Sequence, residues 1–194
     1  RVRRVEYDRF GDPSVLTLRD VPVPVPRAHE VRVRVRAAAL NPKDVLLRKG
    51  RLRWLGGARF PRTMGYDFAG EVDAVGEGVD VLAVGDRVFG MLGRHAGGAL
   101  AESLVCGLGE LAVMPDRLSF EEAAGVPLAA LTALQGLRDS GRVKPDDAVL
   151  INGASGGVGV YAIQIARVLG ARVTTLSSEA NLALCARLGA HETL

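Results

Sequence analysis

The feature that most constrains this chain is a glycine-rich turn between an apolar run and a helical pattern. The stretch from Val149 to Ser178 reads VLINGASGGVGVYAIQIARVLGARVTTLSS. The apolar run Ala148–Asn152 is typical of a buried parallel strand, and the pattern from Val158 to Gly170 is typical of a helix. A second strand-like run, ARVTTLSS, follows. The order of these segments predicts alternating strands and helices around a parallel sheet.

The glycines of this turn are predicted to have three roles. Gly153 permits the tight turn, Gly156 and Gly157 let backbone N–H groups approach a bound group, and Gly159 lets the helix pack on the strand. Such donors at the positive end of a helix dipole form an anion site, and a dinucleotide pyrophosphate is the expected anion. Glycines also occur in turns for steric reasons alone, but the flanking strands and helix favour the dinucleotide.

Composition places the chain among ordinary globular proteins of one or two domains. It has 194 residues, of which 48% are hydrophobic and 24% charged. The 25 Lys and Arg are dispersed among 22 Asp and Glu, for a net charge of +3. This balance gives no case for nucleic acid as a partner.

Sequence features also indicate a compartment. Cys106 and Cys185 are too few and too far apart for a disulfide framework or a metal cluster, which fits a reducing environment. The apolar runs are shorter than the ~20 residues that span a bilayer. The N-terminal RVRRVEYDRF lacks the apolar core of a signal peptide. We therefore expect a cytoplasmic protein with no membrane partner.

The sequence pattern of residues 1–118 is typical of a small, irregular β-barrel domain. In Val31–Ala37 valines alternate with arginines, as in a half-buried strand. Three prolines make VPVPVPRAHE an extended connector, because proline has no N–H for a sheet ladder. The run FAGEVDAVGEGVDVLAVGDRVFG predicts a strand, a glycine-rich turn and a second strand.

The pattern changes near Ser119, so we place a second domain at residues 119–194. Ser119 and Glu122 have the spacing of a capping box. The stretch from Leu128 to Gly141 has helical periodicity and ends in glycine. Strands and helices alternate from there to the end of the sequence.

These stretches together resemble a known family. AAALNPKDVLLRKG, MGYDFAGEVDAVGEGV, VGDRVFG, GGALAE, LAALTALQGL and NGASGGVGVYAIQIARVLGA resemble, in order, segments of the zinc-free medium-chain dehydrogenase/reductases of the quinone oxidoreductase (zeta-crystallin-like) branch. The resemblance implies an α/β fold: a GroES-like catalytic domain, then a Rossmann domain, with the nicotinamide in the cleft between them. It also implies hydride transfer from NADPH to quinones, enones or enoyl thioesters.

The same resemblance predicts that no zinc is bound. Zinc-dependent relatives have a Cys and a His-Glu pair at the positions that here hold Asn41, Tyr66 and Asp67, and this set cannot rebuild a Cys/His site. The four-cysteine structural zinc loop is missing from the sequence as well. His29, His95 and His191 are scattered, and we expect them in loops or at the surface rather than around a metal.

Asn41, Asp44 and Tyr66 are the candidate catalytic residues. Asn41 and Asp44 match positions that line the active-site cleft of the family, although the Asn-Pro sequence also predicts a helix cap, and both roles can hold together. Tyr66 could donate a hydrogen bond to a substrate oxygen, or it could be a buried structural tyrosine. Without a metal, hydrogen bonds alone would polarise the substrate carbonyl.

The candidate cofactor-binding residues lie in the second domain. Thr132 matches the family position near the nicotinamide, with a helical threonine bonded to its own backbone as the alternative. At Ser177, where NAD-binding proteins place an acid, this chain has no charge, which favours NADPH. Glu179 could still act as an NAD-type acid from a nearby loop. The assigned residues are Thr132, Ser155, Gly156, Gly157, Val158 and Ser177.

A run of basic residues between Arg48 and Arg62 could suggest a phosphate-bearing substrate or RNA. It lacks regular aromatic interleaving, so a solvated arginine-rich loop is the favoured interpretation. The run comprises Arg48, Lys49, Arg51, Arg53, Arg59 and Arg62.

The sequence ends soon after the second strand of the parallel sheet. About two such strands are expected, whereas a Rossmann sheet normally has six, so we expect an incomplete Rossmann domain that lacks its C-terminal part. The main functional hypothesis is an NADPH-dependent reductase of small-molecule quinones or activated alkenes, as a homodimer. The alternative is a non-catalytic fragment that acts in partner or RNA binding.

Overall fold

The computed structural model describes residues 1–53, 59–93 and 97–194. Their contacts form two units, Arg1–Leu128 and Ala129–Leu194. The first unit is rich in antiparallel strands, and the second contains parallel strands with helices. This is the α/β class expected from the sequence. The helix that follows Ser119 belongs to the first unit by its contacts. The domain division between residues 118 and 119 stays a prediction.

The strands of the first unit form two sheets. The smaller has the order β2-β1-β4 and the larger has the order β7-β3-β5-β6-β8, with antiparallel pairing throughout. The strands are β1 (Val2–Tyr7), β2 (Thr17–Val21), β3 (Glu30–Ala39), β4 (Arg62–Thr63), β5 (Asp67–Val75), β6 (Arg87–Met91), β7 (Ser103–Gly107) and β8 (Leu111–Val113).

Strand β3 confirms the alternating pattern of valine and arginine. Val31 and Val33 are fully buried in the core of the larger sheet. On the other face, Arg32 and Arg34 form ion pairs at 2.7 Å with acids of the neighbouring β5. The period-two pattern therefore gives β3 one apolar and one charged face.

Other local predictions for the first unit are also confirmed. Residues 22–27, which include the three prolines, have no regular secondary structure. Strands β5 and β6 pair across the predicted glycine-rich turn. The helices described here are α1 (Pro42–Arg48) and α2 (Phe120–Ala124). At the start of α2 the Ser119 hydroxyl accepts from the Glu122 N–H at 3.1 Å, and the Glu122 carboxylate accepts from the Ser119 N–H at 2.8 Å.

The second unit contains one parallel sheet of order β11-β10-β9. Its strands are β9 (Ala148–Asn152), β10 (Arg172–Leu176) and β11 (Glu192–Thr193), and its helices are α4 (Gly159–Val168) and α5 (Leu182–Arg187). The short β11 corrects the expectation of two strands. A two-residue strand carries too little hydrophobic pattern to be recognised from sequence.

Helix α4 covers one face of this sheet. Ile163 and Ala166 are fully buried in a cluster with Ile151 and Val173. On the opposite face Leu150 is 65% exposed and Leu176 is 43% exposed. Among the described residues, no helix is both long enough and apolar enough to cross a membrane.

The helical run predicted from Leu128 to Gly141 is divided into two forms. It begins as α3 (Pro127–Leu134) and continues as a π-helical turn over Gln135–Ser140. The Gly141 N–H donates to the Gly136 carbonyl at 2.8 Å, which is the wide i to i−5 bond of that turn. The predicted glycine at the end of the helical run is confirmed.

Replacing Gly159 with alanine should destabilise the second unit. A Cβ at this position would lie 2.5 Å from the Ala154 carbonyl oxygen, which belongs to the backbone and cannot rotate away. We expect Gly159→Ala to lower the free energy of unfolding by about 1–3 kcal/mol in chemical denaturation. Gly157→Ala is the control, because its Cβ would meet no described atom within 4 Å. Equal stability of the two variants would contradict this packing argument.

Candidate functional site

The glycine-rich turn is fixed to the carboxyl end of β10. Gly153 has a φ of +70°, a conformation that favours glycine. The N–H groups of Gly153 and Ala154 donate to the Leu176 carbonyl at 3.0 and 3.2 Å. The chain therefore reverses immediately after β9 and enters α4 at the same edge of the sheet where β10 ends.

The remaining glycines of the turn differ in what surrounds them. At Gly159 a Cβ would collide with backbone atoms of the turn, so close approach of helix and strand requires glycine there. At Gly156 a Cβ would lie 3.2 Å from the Gly153 carbonyl oxygen, and at Gly157 it would meet no described atom within 4 Å. None of the described residues therefore takes up the space at Gly157, as expected where a ligand approaches the backbone.

The turn also presents unused backbone donors. Within the described residues, the N–H groups of Ser155, Gly157 and Val158 have no hydrogen-bond acceptor. They precede α4, whose ten residues give its N-terminus a partial positive charge. Donors and dipole together suit an anion such as a phosphate group.

Ser177 follows β10 directly and lies at the same sheet edge as the turn, since Leu176 pairs with Asn152. Its N–H donates to the Leu194 carbonyl at 3.1 Å, and its hydroxyl donates to the Ser178 carbonyl at 3.3 Å. The Cys185 thiol lies 3.7 Å from that hydroxyl. Glu179 begins a 3-10 turn and is exposed. The structure therefore brings Ser177 to the edge that carries the glycine turn.

Thr132 lies in α3 with an exposed side chain. Its placement on a helix agrees with the predicted local structure. Its assignment to the nicotinamide stays a prediction.

Asn41, Asp44 and Tyr66 come together in the first unit around the start of α1. The Asp44 carboxylate, 2% exposed, accepts from the backbone N–H groups of Asn41 at 2.8 Å and Gly65 at 3.0 Å. Asp44 thus caps α1 and holds the turn that precedes β5. Capping, the alternative role considered for this segment, is performed by the Asp44 side chain.

Asn41 uses its side chain differently. Its Nδ2 donates to the Asp67 carboxylate at 3.0 Å. Asp67 also accepts from the Leu128 backbone N–H, at 3.2 and 3.3 Å to its two oxygens. Sequence reasoning used Asp67 only to argue against zinc. Asp67 directly precedes the apolar run of residues 68–70. An acid in such a position indicates a buried carboxylate, and this signal could have identified Asp67 from the sequence.

Tyr66 is 4% exposed and lies between Gly65 and β5. The Lys43 ammonium lies 3.7 Å from the centre of the Tyr66 ring, a cation–π contact that sequence reasoning did not anticipate. Burial raises the pKa of the Tyr66 phenol, and the nearby Asp44 carboxylate raises it further. The phenol is therefore protonated at neutral pH and able to donate.

Both buried carboxyl groups also have raised pKa values. For Asp44 the main cause is burial, partly offset by the N–H donors of Asn41 and Gly65. For Asp67 the main cause of the raised pKa is again burial. The hydrogen bonds from Asn41 and Leu128 partly offset this effect, and the neighbouring Asp44 raises the pKa further. The two acids share one local environment with Lys43, whose charge lowers both values.

Comparison with known proteins identifies the family. Residues 27–127 match the family model "Alcohol dehydrogenase GroES-like domain". The chain is 37% identical over 196 aligned positions to a chloroplast envelope quinone oxidoreductase homolog of Arabidopsis thaliana, covering 98% of this chain and 60% of that protein.

The chain belongs to the medium-chain dehydrogenase/reductases. This confirms the resemblance to the quinone oxidoreductase branch, with a GroES-like domain followed by part of a Rossmann sheet. The chain spans about 60% of the length of the first relatives it matches.

Two further solved structures are similar to this chain. An NAD-dependent alcohol dehydrogenase is 42% identical with a TM-score of 0.90, over 99% of this chain and 63% of the other. A mycobacterial protein complexed with NADPH is 34% identical with a TM-score of 0.85, over 100% of this chain and 58% of the other.

Within ranges 1–53, 59–93 and 97–194, no three His, Cys, Asp or Glu side chains converge on a metal position. His29 lies in a turn with a φ of 62°, and His191 accepts from the Val173 N–H at 2.8 Å. The two therefore serve separate local contacts. His95 lies outside the described residues.

The cysteines of this dehydrogenase/reductase chain are both buried. Burial raises the pKa of the Cys106 thiol to about 12, with smaller contributions from Glu110 and Glu30. Cys106 is therefore a thiol at physiological pH and packs as an apolar side chain.

The basic run is not a uniformly solvated loop. Arg48 is 4% exposed and donates to the Gly11 carbonyl at 2.6 Å. Arg62 is half-buried, with its guanidinium 5.8 Å from the Phe10 ring centre. Arg51, Arg53 and Arg59 are exposed. The interpretation as a solvated arginine-rich loop therefore fits these three residues. Arg48 instead connects the end of α1 to the loop after β1.

The raised pKa values of Asp44 and Asp67 predict how stability depends on pH. A carboxyl group with a higher pKa in the folded state binds a proton more readily there than in the unfolded chain. Its favourable contribution is complete below the unfolded value of about 3.9 and is lost as pH rises through the folded value. Carboxyl carbon NMR should therefore show both groups titrating above about 3.9. Titration midpoints at or below the unfolded value for both carboxyl groups would contradict the stated effect of burial.

Proposed function

We propose that this chain carries the substrate site and the pyrophosphate site of an NADPH-dependent oxidoreductase that transfers hydride to quinones or activated alkenes without zinc. The observation that carries the proposal is the glycine turn, with its unused N–H donors and the open space at Gly157. Membership of the quinone oxidoreductase branch supplies the reaction class. Cytoplasmic location and a homodimer stay predictions.

The residues of the second unit fit a dinucleotide. Ser155, Gly157 and Val158 would donate backbone hydrogen bonds to the pyrophosphate, and Gly156 keeps the turn narrow. Thr132 is assigned to the nicotinamide end through the family resemblance. When bound, NADPH supplies the hydride.

Ser177 supports NADPH over NADH. Its uncharged side chain follows β10, where an acid would repel a 2′-phosphate. Glu179 is exposed two residues later and is the group that would instead favour NADH. One similar solved structure is named an NAD-dependent alcohol dehydrogenase, so a preference for NADH through Glu179 is the alternative to test.

In the first unit the proposed roles follow from protonation and hydrogen bonding. Tyr66 remains a neutral phenol because burial raises its pKa, so it can donate to a substrate carbonyl as negative charge develops there. Lys43, at the Tyr66 ring, adds a positive charge beside that phenol. Asn41 would contact the ligand, and Asp44 would hold Asn41 and Gly65 in place through their backbone N–H groups.

The donor set at the position of the zinc ligands supports a reaction without metal. Asn41 offers an amide and Tyr66 a protonated phenol, both poor ligands for zinc. The Asp67 carboxylate accepts hydrogen bonds from Asn41 and Leu128. Polarisation of the substrate is accordingly assigned to hydrogen bonds and the Lys43 charge.

Reduction of a quinone with NADPH tests the proposed function. We expect absorbance at the NADPH band to fall when a quinone is added, and the rate to be unchanged by a zinc chelator. Tyr66→Phe should lower kcat by about 100-fold, because one donor to the developing oxyanion is lost. Its thermal midpoint serves as the control for folding. A folded protein with a complete Rossmann domain that oxidises no NADPH with quinones or enones would favour the non-catalytic alternative of partner or RNA binding.

The cofactor preference is tested at Ser177. Ser177→Asp places a negative charge beside the expected 2′-phosphate, so NADPH binding should weaken by about 10-fold or more relative to NADH. Fluorescence titration of both cofactors into the protein with a complete Rossmann domain measures the ratio. Ser140→Asp makes the same change of charge on an exposed serine of the π-helical turn and should leave the ratio unchanged. If the wild type already prefers NADH, Glu179 becomes the residue to replace.

A further inference from the structure

Asp67 is a buried acid without a role in the proposed reaction. It is the first residue of β5 and is 1% exposed. Two N–H donors converge on its carboxylate: Nδ2 of Asn41 and the backbone N–H of Leu128. From α1, the charged groups Asp44 and Lys43 also act on it. Such donors favour the ionised form, which burial by itself disfavours.

An ionised carboxylate restricts the orientation of the Asn41 amide. A carboxylate can only accept, whereas an amide side chain can present either its oxygen or its nitrogen after a half-turn. Because Asp67 accepts, Asn41 must direct its nitrogen toward Asp67. The opposite orientation would place two acceptor oxygens against each other. The Leu128 donor belongs to the backbone and cannot exchange.

We propose that Asp67 is a positioning residue that fixes the orientation of the Asn41 amide and thereby determines which atoms of Asn41 a ligand meets. The proposal rests on the proposed function, in which Asn41 contacts the ligand. Asp67 contacts neither substrate nor cofactor in this scheme and acts through Asn41.

The variant Asp67→Asn would remove this restriction. The two oxygens of Asp67 lie 3.2 and 3.3 Å from the Leu128 N–H, so the new amide can turn either its oxygen or its NH2 group toward Asn41. Asn41 then presents its nitrogen in one arrangement and its oxygen in the other. The Asn41 amide is no longer held in a single orientation, and part of the molecules present the wrong donor and acceptor to a ligand.

A double-mutant cycle separates positioning from a general structural effect. Asp67→Asn should lower kcat/KM for NADPH-dependent quinone reduction by about 2- to 10-fold, because only the molecules that hold the Asn41 amide in the wild-type orientation remain competent. In the Asn41→Ala background it should cause no further decrease, because the residue through which it acts is gone. Asp73→Asn, on the same strand and paired with Arg32 at 2.7 Å, is the control and should leave kcat/KM unchanged. An equal loss in both backgrounds would overturn the proposal.

Proton–nitrogen NMR of the Asn41 side chain gives a readout independent of activity. The Asn41 NH2 signals should shift in Asp67→Asn but not in Asp73→Asn. In the wild type they should also shift on acidification, with the midpoint of the Asp67 carboxyl group. This measurement applies even if Asp67→Asn does not fold. Asn41 NH2 signals that do not change as the Asp67 carboxyl group titrates would overturn the proposal. A wild type without reductase activity contradicts the proposed function, and the NMR titration then decides the positioning role.

Discussion

The buried carboxylates of Asp44 and Asp67 determine how the candidate substrate site is assembled. Each must find hydrogen-bond donors, because an unpaired charge in the interior costs several kcal/mol. Asp44 obtains them from the backbone of Asn41 and Gly65, and Asp67 from the Asn41 amide and the Leu128 N–H. Three chain segments that are distant in sequence, at residues 41–44, 65–67 and 128, are thereby held at one place, with Tyr66 among them.

In the second unit, the glycine turn leaves backbone N–H groups available for a ligand. The Leu176 carbonyl accepts from the first two N–H groups of the turn, and the N–H groups of Ser155, Gly157 and Val158 remain without an acceptor in the described chain. Gly159 allows α4 to begin close to β9, while Gly157 leaves space on the outer side. A rigid turn with unused donors can bind an anion at little cost in conformational entropy.

Local sequence patterns predicted much of this fold, because their physical causes are local. The alternation in β3, the Ser119–Glu122 cap and the glycine turn each depend on residues within a few positions of one another. The hydrogen bond between Asn41 and Asp67 joins residues 26 positions apart, and the burial of Arg48 depends on Gly11, 37 positions away. Such contacts follow from tertiary packing, which a single sequence does not display. The π-helical turn also escaped prediction, since its apolar spacing resembles that of an α-helix.

The position of β10 has a consequence for local opening. It is the central strand of its sheet, with β9 on one side and β11 on the other, and Val173 and Thr175 are fully buried. Its amide hydrogens should therefore exchange with solvent more slowly than those of its two neighbours, whose outer edges are unpaired within the described sheet. The carbonyl that holds the glycine turn belongs to the last residue of this strand. The ligand-binding turn is thus anchored to the element of the sheet that opens last.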